Sequence, residues 1–175
     1  TLVWTIAETE AEGRIEVQIP AKSTKEVVIA ADEHPALNLA DPRLWWPRGH
    51  GEQPLYQASF CFEIDGEVSD AQDVTFGVRQ IDKYLHERNG EHGLRVLVNG
   101  RRIFCRGGYL QPEILYDWDA QRMEQEIRYL AEANLNVAFI FELPFPPEEL
   151  LEICDRYGIL FGHCFYSGHW MMPNT

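Results

Sequence analysis

Positive charge is scarce in this sequence. Fifteen lysines and arginines stand against 28 aspartates and glutamates, for a formal net charge of -13. Nucleic-acid phosphates need a basic patch to meet them, and an anionic membrane surface needs the same, so neither is an expected partner. Long apolar runs are also absent: no stretch approaches the roughly 20 residues that a bilayer-spanning helix requires. Cysteine is sparse, with Cys61, Cys105, Cys154 and Cys164 in 175 residues and no C-x-x-C pair, which excludes a disulfide scaffold. Cys105 and Cys154 lie in apolar, periodic segments and read as small core residues. There is no leader and no initiator methionine. The chain opens on Thr1-Leu2-Val3-Trp4, already strand-like, and reads as a piece of something longer, so the missing leader says nothing about export or compartment. Internal repeats and low-complexity tracts are lacking as well.

Apolar residues make up 45% of the sequence, enough to build a packed core. The pattern changes near residue 95. Before it, strands and turns dominate. Gly13 to Pro20 alternates apolar and polar, Lys25 to Ala30 is a second short strand, and Ala71 to Ile81 is a further one. In Pro54 to Ile64, the residues Tyr56, Ala58, Phe60, Phe62 and Ile64 share one face, and Asp65-Gly66 follows as a turn. This spacing predicts an antiparallel sandwich. The polar stretch Glu87 to Gly93 reads as a hairpin loop or a linker.

After residue 95, strands and helices alternate. Leu94 to Val98 runs into Asn99-Gly100, a hairpin signal, and then into Ile103-Phe104-Cys105. A helix is expected from about Asp119 to Ala133, with Met123, Ile127, Leu130 and Ala131 on its apolar face. Asp117 or Asp119 can cap its start, and Asn134 can end it. Val137 to Phe141 reads as a strand buried on both faces. Pro147 opens a second helix, Glu148 and Glu149 suit its positive first turn, and Leu150, Leu151, Cys154 and Tyr157 face its core. Gly158 stops it, and Ile159 to Phe161 begins a third strand. The β-α-β-α-β order means a parallel sheet with helical crossovers.

Three segments resemble glycoside hydrolase family 2. Leu44-Trp45-Trp46-Pro47-Arg48-Gly49-His50-Gly51-Glu52-Gln53-Pro54-Leu55-Tyr56 is similar to that family's LWWPxGxGxQPLY segment. Thr75 to Ile81 is similar to its FGxRxI strand. Val98-Asn99-Gly100 through Arg106-Gly107-Gly108 resembles its xNGxPxxxRG lead into the first barrel strand. Arg106 to Tyr109, Pro112, Trp118 and the helix from Pro147 to Leu160 resemble more narrowly the exo-β-D-glucosaminidase and β-mannosidase branch. The resemblance implies an immunoglobulin-like antiparallel β-sandwich over residues 1–95, lacking its first strand. Residues 96–175 would then be the N-terminal portion of a (β/α)₈ TIM barrel.

Such enzymes are retaining exo-β-glycosidases acting on β-linked glucosaminides, mannosides or galactosides. Both of their catalytic carboxylates come from later barrel strands, the fourth and the seventh. A barrel needs about 250 residues. No catalytic residue is therefore expected in this chain, which by itself should be inactive and should need the remainder of the barrel as its partner. The same resemblance implies a substrate wall at the C-terminal ends of the strands, where barrels keep their chemistry. There Tyr109, Glu142, Tyr166 and Trp170 are the candidate carbohydrate-binding residues. Glu142 can accept from a sugar hydroxyl or pair with an aminosugar ammonium; its ordinary reading is a solvated strand-end carboxylate. Tyr166 and Trp170 can stack on a pyranose, or simply pack.

His163, Cys164 and His169 fit no common zinc spacing, so no metal and no cofactor is expected. Trp45 and Trp46 are expected to lock the sandwich to its neighbours, and Arg79 and Arg106 to be anchors at the domain junction. One departure stands out. The family usually carries an arginine on barrel strand two, pointing into the active site, whereas Asn136 to Glu142 holds none. An apolar residue there cannot orient a nucleophile carboxylate by a charged hydrogen bond. The competing reading is a non-catalytic carbohydrate-binding or protein-interaction module derived from such an enzyme.

Overall fold

The computed structural model describes residues 1–110, 118–141 and 146–164. Two compact units divide the chain: Thr1–Arg43 with Leu55–Phe76, and Leu44–Pro54 with Gly77–Thr175. They part at Phe76 and exchange the segment 44–54, whereas the sequence pattern changes near residue 95.

The first unit is a four-stranded antiparallel sheet in the order β2-β1-β3-β4, formed by β1 (Leu2–Ile6), β2 (Glu12–Ile15), β3 (Tyr56–Ile64) and β4 (Glu67–Phe76). Its registers pair Trp4 with Phe60, Ile6 with Ala58, and Ala58 with Val74. Because side chains alternate across a strand, these apolar residues share one face, while Thr5, Ser59 and Asp73 fall on the other. Asp65 and Gly66 both adopt positive φ, as a two-residue type I′ hairpin turn demands. Gly13 sits opposite Trp4, and a Cβ there would come within 2.5 Å of the indole, so the ring lies directly across the glycine. The one helical turn between residues 13 and 64 is a 3₁₀ turn at Pro35–Leu37. The mostly antiparallel arrangement is consistent with a β-sandwich.

Several boundaries differ from expectation. Lys25–Ala30 joins no ladder, although Val27 and Ile29 reach an apolar cavity of about 440 Å³ against Trp4, Ile6, Ala58, Phe60, Val74 and Phe76. Alternation brought its side chains to the core, but a strand also needs a backbone neighbour. Ala71 to Ile81 is not one strand either. β4 ends at Phe76, and the next strand starts at Ile81, because Gly77 packs against the Trp45 ring, where a Cβ would clash at 2.9 Å.

The second unit opens with an antiparallel sheet of β5 (Ile81–Arg88), β6 (Glu91–Val98) and β7 (Arg101–Ile103), in the order β5-β6-β7. The stretch 87–93 is therefore the tip of a long hairpin, with Asn89-Gly90 as its turn, and most of it is strand. A parallel sheet in the order β10-β9-β8 follows, built from β8 (Gly107–Tyr109), β9 (Val137–Phe141) and β10 (Leu160–Cys164). Helices α1 (Ala120–Glu132) and α2 (Glu148–Tyr157) make the crossovers. Asp119 caps α1, its carboxylate accepting from the Arg122 N–H at 2.7 Å, and Gly158 ends α2 in the left-handed region at φ 76°.

Met123, Ile127 and Ala131 from α1 and Leu150, Ile153 and Cys154 from α2 form one core with Ala138, Ile140 and Ile159. Each fully buried Ile or Leu in it contributes about 1.5–3 kcal/mol. Ile153 takes the place expected of Leu151, which is 41% exposed, because the helix meets the sheet through the 150–153–154 stripe. Cys105 is exposed rather than core, since the chain leaves β7 at Ile103 and crosses to the parallel sheet there.

Candidate functional site

The parallel sheet has two unlike faces. Ala138, Ile140 and Phe161 point to the helices. By register, Tyr109, Phe139 and Gly162 lie side by side on the opposite face, one level above Gly107, Val137 and Leu160. Among the described residues this face is buried at Val137 and opens only at the level of Tyr109 and Phe139, so the expected burial of β9 on both faces holds at its start and not farther along. Tyr109 is 68% exposed and Phe139 is 39% exposed, with ring centroids 6.4 Å apart. The Phe139 ring lies over Gly162, where a Cβ would fall 2.5 Å from it. All six residues are uncharged, so this face offers no cation to orient a carboxylate. Tyr109 thus stands at the C-terminal end of β8, where barrel enzymes keep their sites. Glu142, Tyr166 and Trp170 lie outside the described residues, as does His169.

The opposite, N-terminal ends of these strands are tied by two polar clamps that the sequence did not advertise. Asn136 is fully buried. Its Oδ1 accepts from the Arg106 N–H at 2.8 Å, and its Nδ2 donates to the Phe104 carbonyl at 3.0 Å. Its backbone N–H donates to the Arg106 carbonyl, and its own carbonyl accepts from Leu160 N–H. One side chain therefore satisfies the crossing from β7 to β8 and pins it to β9. Arg106 adds a hydrogen bond from Nε to the Asn134 carbonyl at 3.0 Å.

The second clamp centres on Trp45, which is completely buried. Its Nε1 donates to the Asp155 carbonyl near the end of α2 at 2.8 Å. The Arg79 guanidinium lies over the indole, 4.4 Å from its centroid, and pairs with the Asp155 carboxylate at 2.9 Å. Asn99 Nδ2 donates to the Trp45 carbonyl, and the Arg48 N–H to the Gly158 carbonyl. Trp45 and Arg79 are thus anchors within the second unit. Trp46 instead folds over its own loop, against Gly51.

Two titratable groups have chemically defined states. Burial, with Asp155 adding to it, pushes the Cys154 thiol up to about 12, so it stays protonated and inert. His50 has both ring nitrogens shut off from solvent without a hydrogen-bond partner among the described residues. Burial, and then Arg101 and Arg106, hold its pKa below the ordinary value. The unfolded chain takes up a proton on His50 near pH 6.5, while the fold resists it. Stability from neutral His50 is therefore full above about pH 6.5 and declines as the pH falls toward the folded pKa. His50→Gln is expected to flatten the fall in urea-unfolding free energy between pH 7.5 and 5.5; an unchanged slope would exclude His50 as its source.

One all-β unit, and a second in which an antiparallel sheet is followed by alternating parallel strands and helices, define the architecture of the described residues. Residues 4–79 match the family model for glycosyl hydrolases family 2. The chain is 35% identical over 147 residues to an exo-beta-D-glucosaminidase of Streptomyces avermitilis, covering 84% of this chain and 16% of that protein. It is 32% identical over 158 residues to a mannosylglycoprotein endo-beta-mannosidase of Lilium longiflorum, covering 86% of this chain and 15% of that protein. The crystal structure of an exo-chitosanase from Amycolatopsis orientalis superposes with a TM-score of 0.63 at 29% identity, over 74% of this chain and 15% of that one. Residues 4–79 belong to glycoside hydrolase family 2, and the proteins that the chain resembles are exo-β-D-glucosaminidases and β-mannosidases. The chain spans about one sixth of the length of the relatives it matches.

Proposed function

We propose that the chain is part of a retaining exo-β-glycosidase that hydrolyses O-glycosidic bonds of β-linked sugars, with glucosaminides ahead of mannosides and galactosides. In this reading residues 1–95 belong to an immunoglobulin-like sandwich. Residues 96–175 are the first β/α units of a (β/α)₈ barrel that the remainder of the protein completes. The observation that carries it is the parallel β8-β9-β10 sheet, with helices on one face and Tyr109 where the other opens. A retaining mechanism needs two carboxyl groups about 5–5.5 Å apart, one as acid/base and one as nucleophile. Both are assigned to barrel strands beyond β10, so this chain supplies one wall of the pocket and no catalytic residue.

The test compares the full-length protein with the isolated 175-residue chain on aryl β-glucosaminide, β-mannoside and β-galactoside. The full-length protein is expected to turn over at least one with retention, and the chain alone none. Turnover by the chain alone, abolished by a point substitution within it, would overturn this division of labour. The second reading, a carbohydrate-binding or protein-interaction module without catalysis, is favoured by the uncharged face of β8, β9 and β10. It predicts saturable sugar or protein binding by the full-length protein with no turnover of any of the three glycosides.

Tyr109, Glu142, Tyr166 and Trp170 are assigned to the sugar-binding wall, Tyr109, Tyr166 and Trp170 by ring stacking and Glu142 by charge. β9 ends at Phe141, and Ala138 and Ile140 point to the helices. Unbroken alternation would carry residue 142 to that same side, so the role requires the chain to leave strand geometry after Phe141. Losing a buried charged partner of an ammonium costs on the order of 2–5 kcal/mol. Glu142→Gln is therefore expected to lower kcat/KM for a glucosaminide far more than for a matched glucoside or mannoside. An unchanged ratio, or a carboxylate seen facing the outer helices, removes Glu142 from the pocket.

A further inference from the structure

Two rows of side chains lie on the face of the parallel sheet away from the helices, and they differ in kind. The first row is Gly107, Val137 and Leu160, with Val137 buried. The second is Tyr109, Phe139 and Gly162, one residue from each strand in parallel register. Neighbouring strands stand about 4.8 Å apart, so side chains in one row meet a ligand together. In the second row both side chains are aromatic, and Phe139 is 39% exposed although it lies on the middle strand.

Gly162 explains where the Phe139 ring rests. A Cβ on Gly162 would fall 2.5 Å from Cδ1 and 2.6 Å from Cε1 of Phe139, so that edge of the ring occupies the space a side chain on β10 would need. The Tyr109 ring stands on the other side of it, at 6.4 Å between centroids and inclined by 58°. That separation is within contact range for an aromatic pair, and the inclination makes a corner rather than a flat patch. No residue of either row is charged, so a phosphate or carboxylate finds no cation there. The apolar C–H groups on one face of a pyranose need none, and aromatic rings are the surface that receives them.

We propose that Phe139 is a substrate-contacting residue that forms, with Tyr109, an aromatic corner for the C–H face of the sugar, and that Gly162 supplies the clearance this corner requires. The proposal rests on the reading of this sheet as one wall of a sugar pocket. It adds a division of labour. Stacking on C–H groups does not distinguish an amine from a hydroxyl on the ring, so the corner holds aminosugar and neutral sugar equally, and selection between them falls to charge.

The test is calorimetric titration of the full-length protein with methyl 1-thio-β-D-glucosaminide and methyl 1-thio-β-D-glucoside, which resist hydrolysis and carry no aryl group of their own to stack. Phe139→Leu keeps an apolar side chain but removes the aromatic face. It is expected to weaken both ligands by the same factor, about three- to tenfold, the size of an aromatic contact. Phe139→Tyr restores the face and is expected to bind both within about twofold of the parent. Urea midpoints are read alongside, and Phe139→Met replaces the leucine variant if that one fails to fold. Equal weakening with an unchanged midpoint, rescued by tyrosine, supports the proposal. Unchanged binding in the leucine variant, a loss confined to the aminosugar, a tyrosine variant as weak as leucine, or a parent protein that binds neither ligand, each overturns it. Turnover is measured separately, so binding that behaves as expected without hydrolysis counts against the proposed function alone.

Discussion

Replacing Trp45 with alanine is expected to lower the unfolding free energy by about 3–5 kcal/mol, the range for emptying a buried large aromatic site. The ring is completely buried, and three groups are arranged around it: Gly77 against its plane, the Arg79 guanidinium over its face, and the Asp155 carbonyl at its Nε1. Burial outweighs the ion pair. The Arg79 and Asp155 side chains are each about a quarter exposed, so solvent screens their attraction to about 1 kcal/mol or less. Arg79→Met should accordingly cost much less than the loss of the indole. Trp45→Phe keeps most of the packing and leaves the Asp155 carbonyl without its donor, for an intermediate loss of about 1–2 kcal/mol. Urea midpoints of the three variants would establish the order Ala, then Phe, then Met at residue 79. A Trp45→Ala protein within about 1 kcal/mol of the parent would show that the segment 44–54 is not held through this side chain.

Asn136→Leu is the second large loss, and its cause is polar rather than apolar. Leucine nearly matches the volume but strands the Arg106 N–H and the Phe104 carbonyl, both part-buried, and an unmet hydrogen bond costs about 1–3 kcal/mol where water does not replace it. Asn136→Asp separates the two bonds. Its carboxylate still accepts from Arg106 N–H, but its second oxygen faces the Phe104 carbonyl oxygen with no donor, and that repulsion together with burial raises its pKa in the fold. A raised folded pKa means stability present at low pH and lost as the pH rises through that value. The Asp variant is therefore expected to grow more stable on acidification relative to the parent protein, because the protonated acid can donate to Phe104. Leucine shows no such dependence. Equal pH profiles for the two variants would contradict the assigned hydrogen bonds.

Both predictions concern the N-terminal ends of the strands, the side of a β/α sheet that carries stability, whereas the candidate site lies at the opposite ends. Substitutions at Trp45 or Asn136 should thus change the amount of folded protein before they change the chemistry of what folds.

Local pattern was enough for elements whose signals are contained in a few neighbouring residues. The β9 boundaries at Val137 and Phe141, the Asp119 cap, the Gly158 stop and the Asn99-Gly100 turn follow from apolar runs, capping chemistry and positive φ. The family was legible too, because its three segments are contiguous words in the chain. Misreadings arose where a partner far along the chain decides. Lys25–Ala30 has the right side chains but no backbone neighbour in the first unit. Leu151 has helical phase close to Leu150, and only the angle at which α2 meets the sheet selects Ile153 instead.

The functional face was legible in part. Tyr109 could be placed at a strand end from its position after Gly107-Gly108, but its neighbours could not, since Phe139 and Gly162 are 30 and 53 residues farther on and meet it only through parallel register. Asn136 looked like an ordinary residue before a strand because its value lies entirely in two backbone groups 30 and 32 positions away. The sequence by itself determined the family, the order of strands and helices, and most caps and turns, since each depends on residues within one turn or one hairpin of each other. Only the tertiary structure decided that segment 44–54 belongs with residues after 77, that Trp45 is a buried staple on α2, and that one face of the parallel sheet is aromatic and free of charge. Those outcomes depend on which distant surfaces exclude water together, and that is a property of the packed chain rather than of any stretch of it.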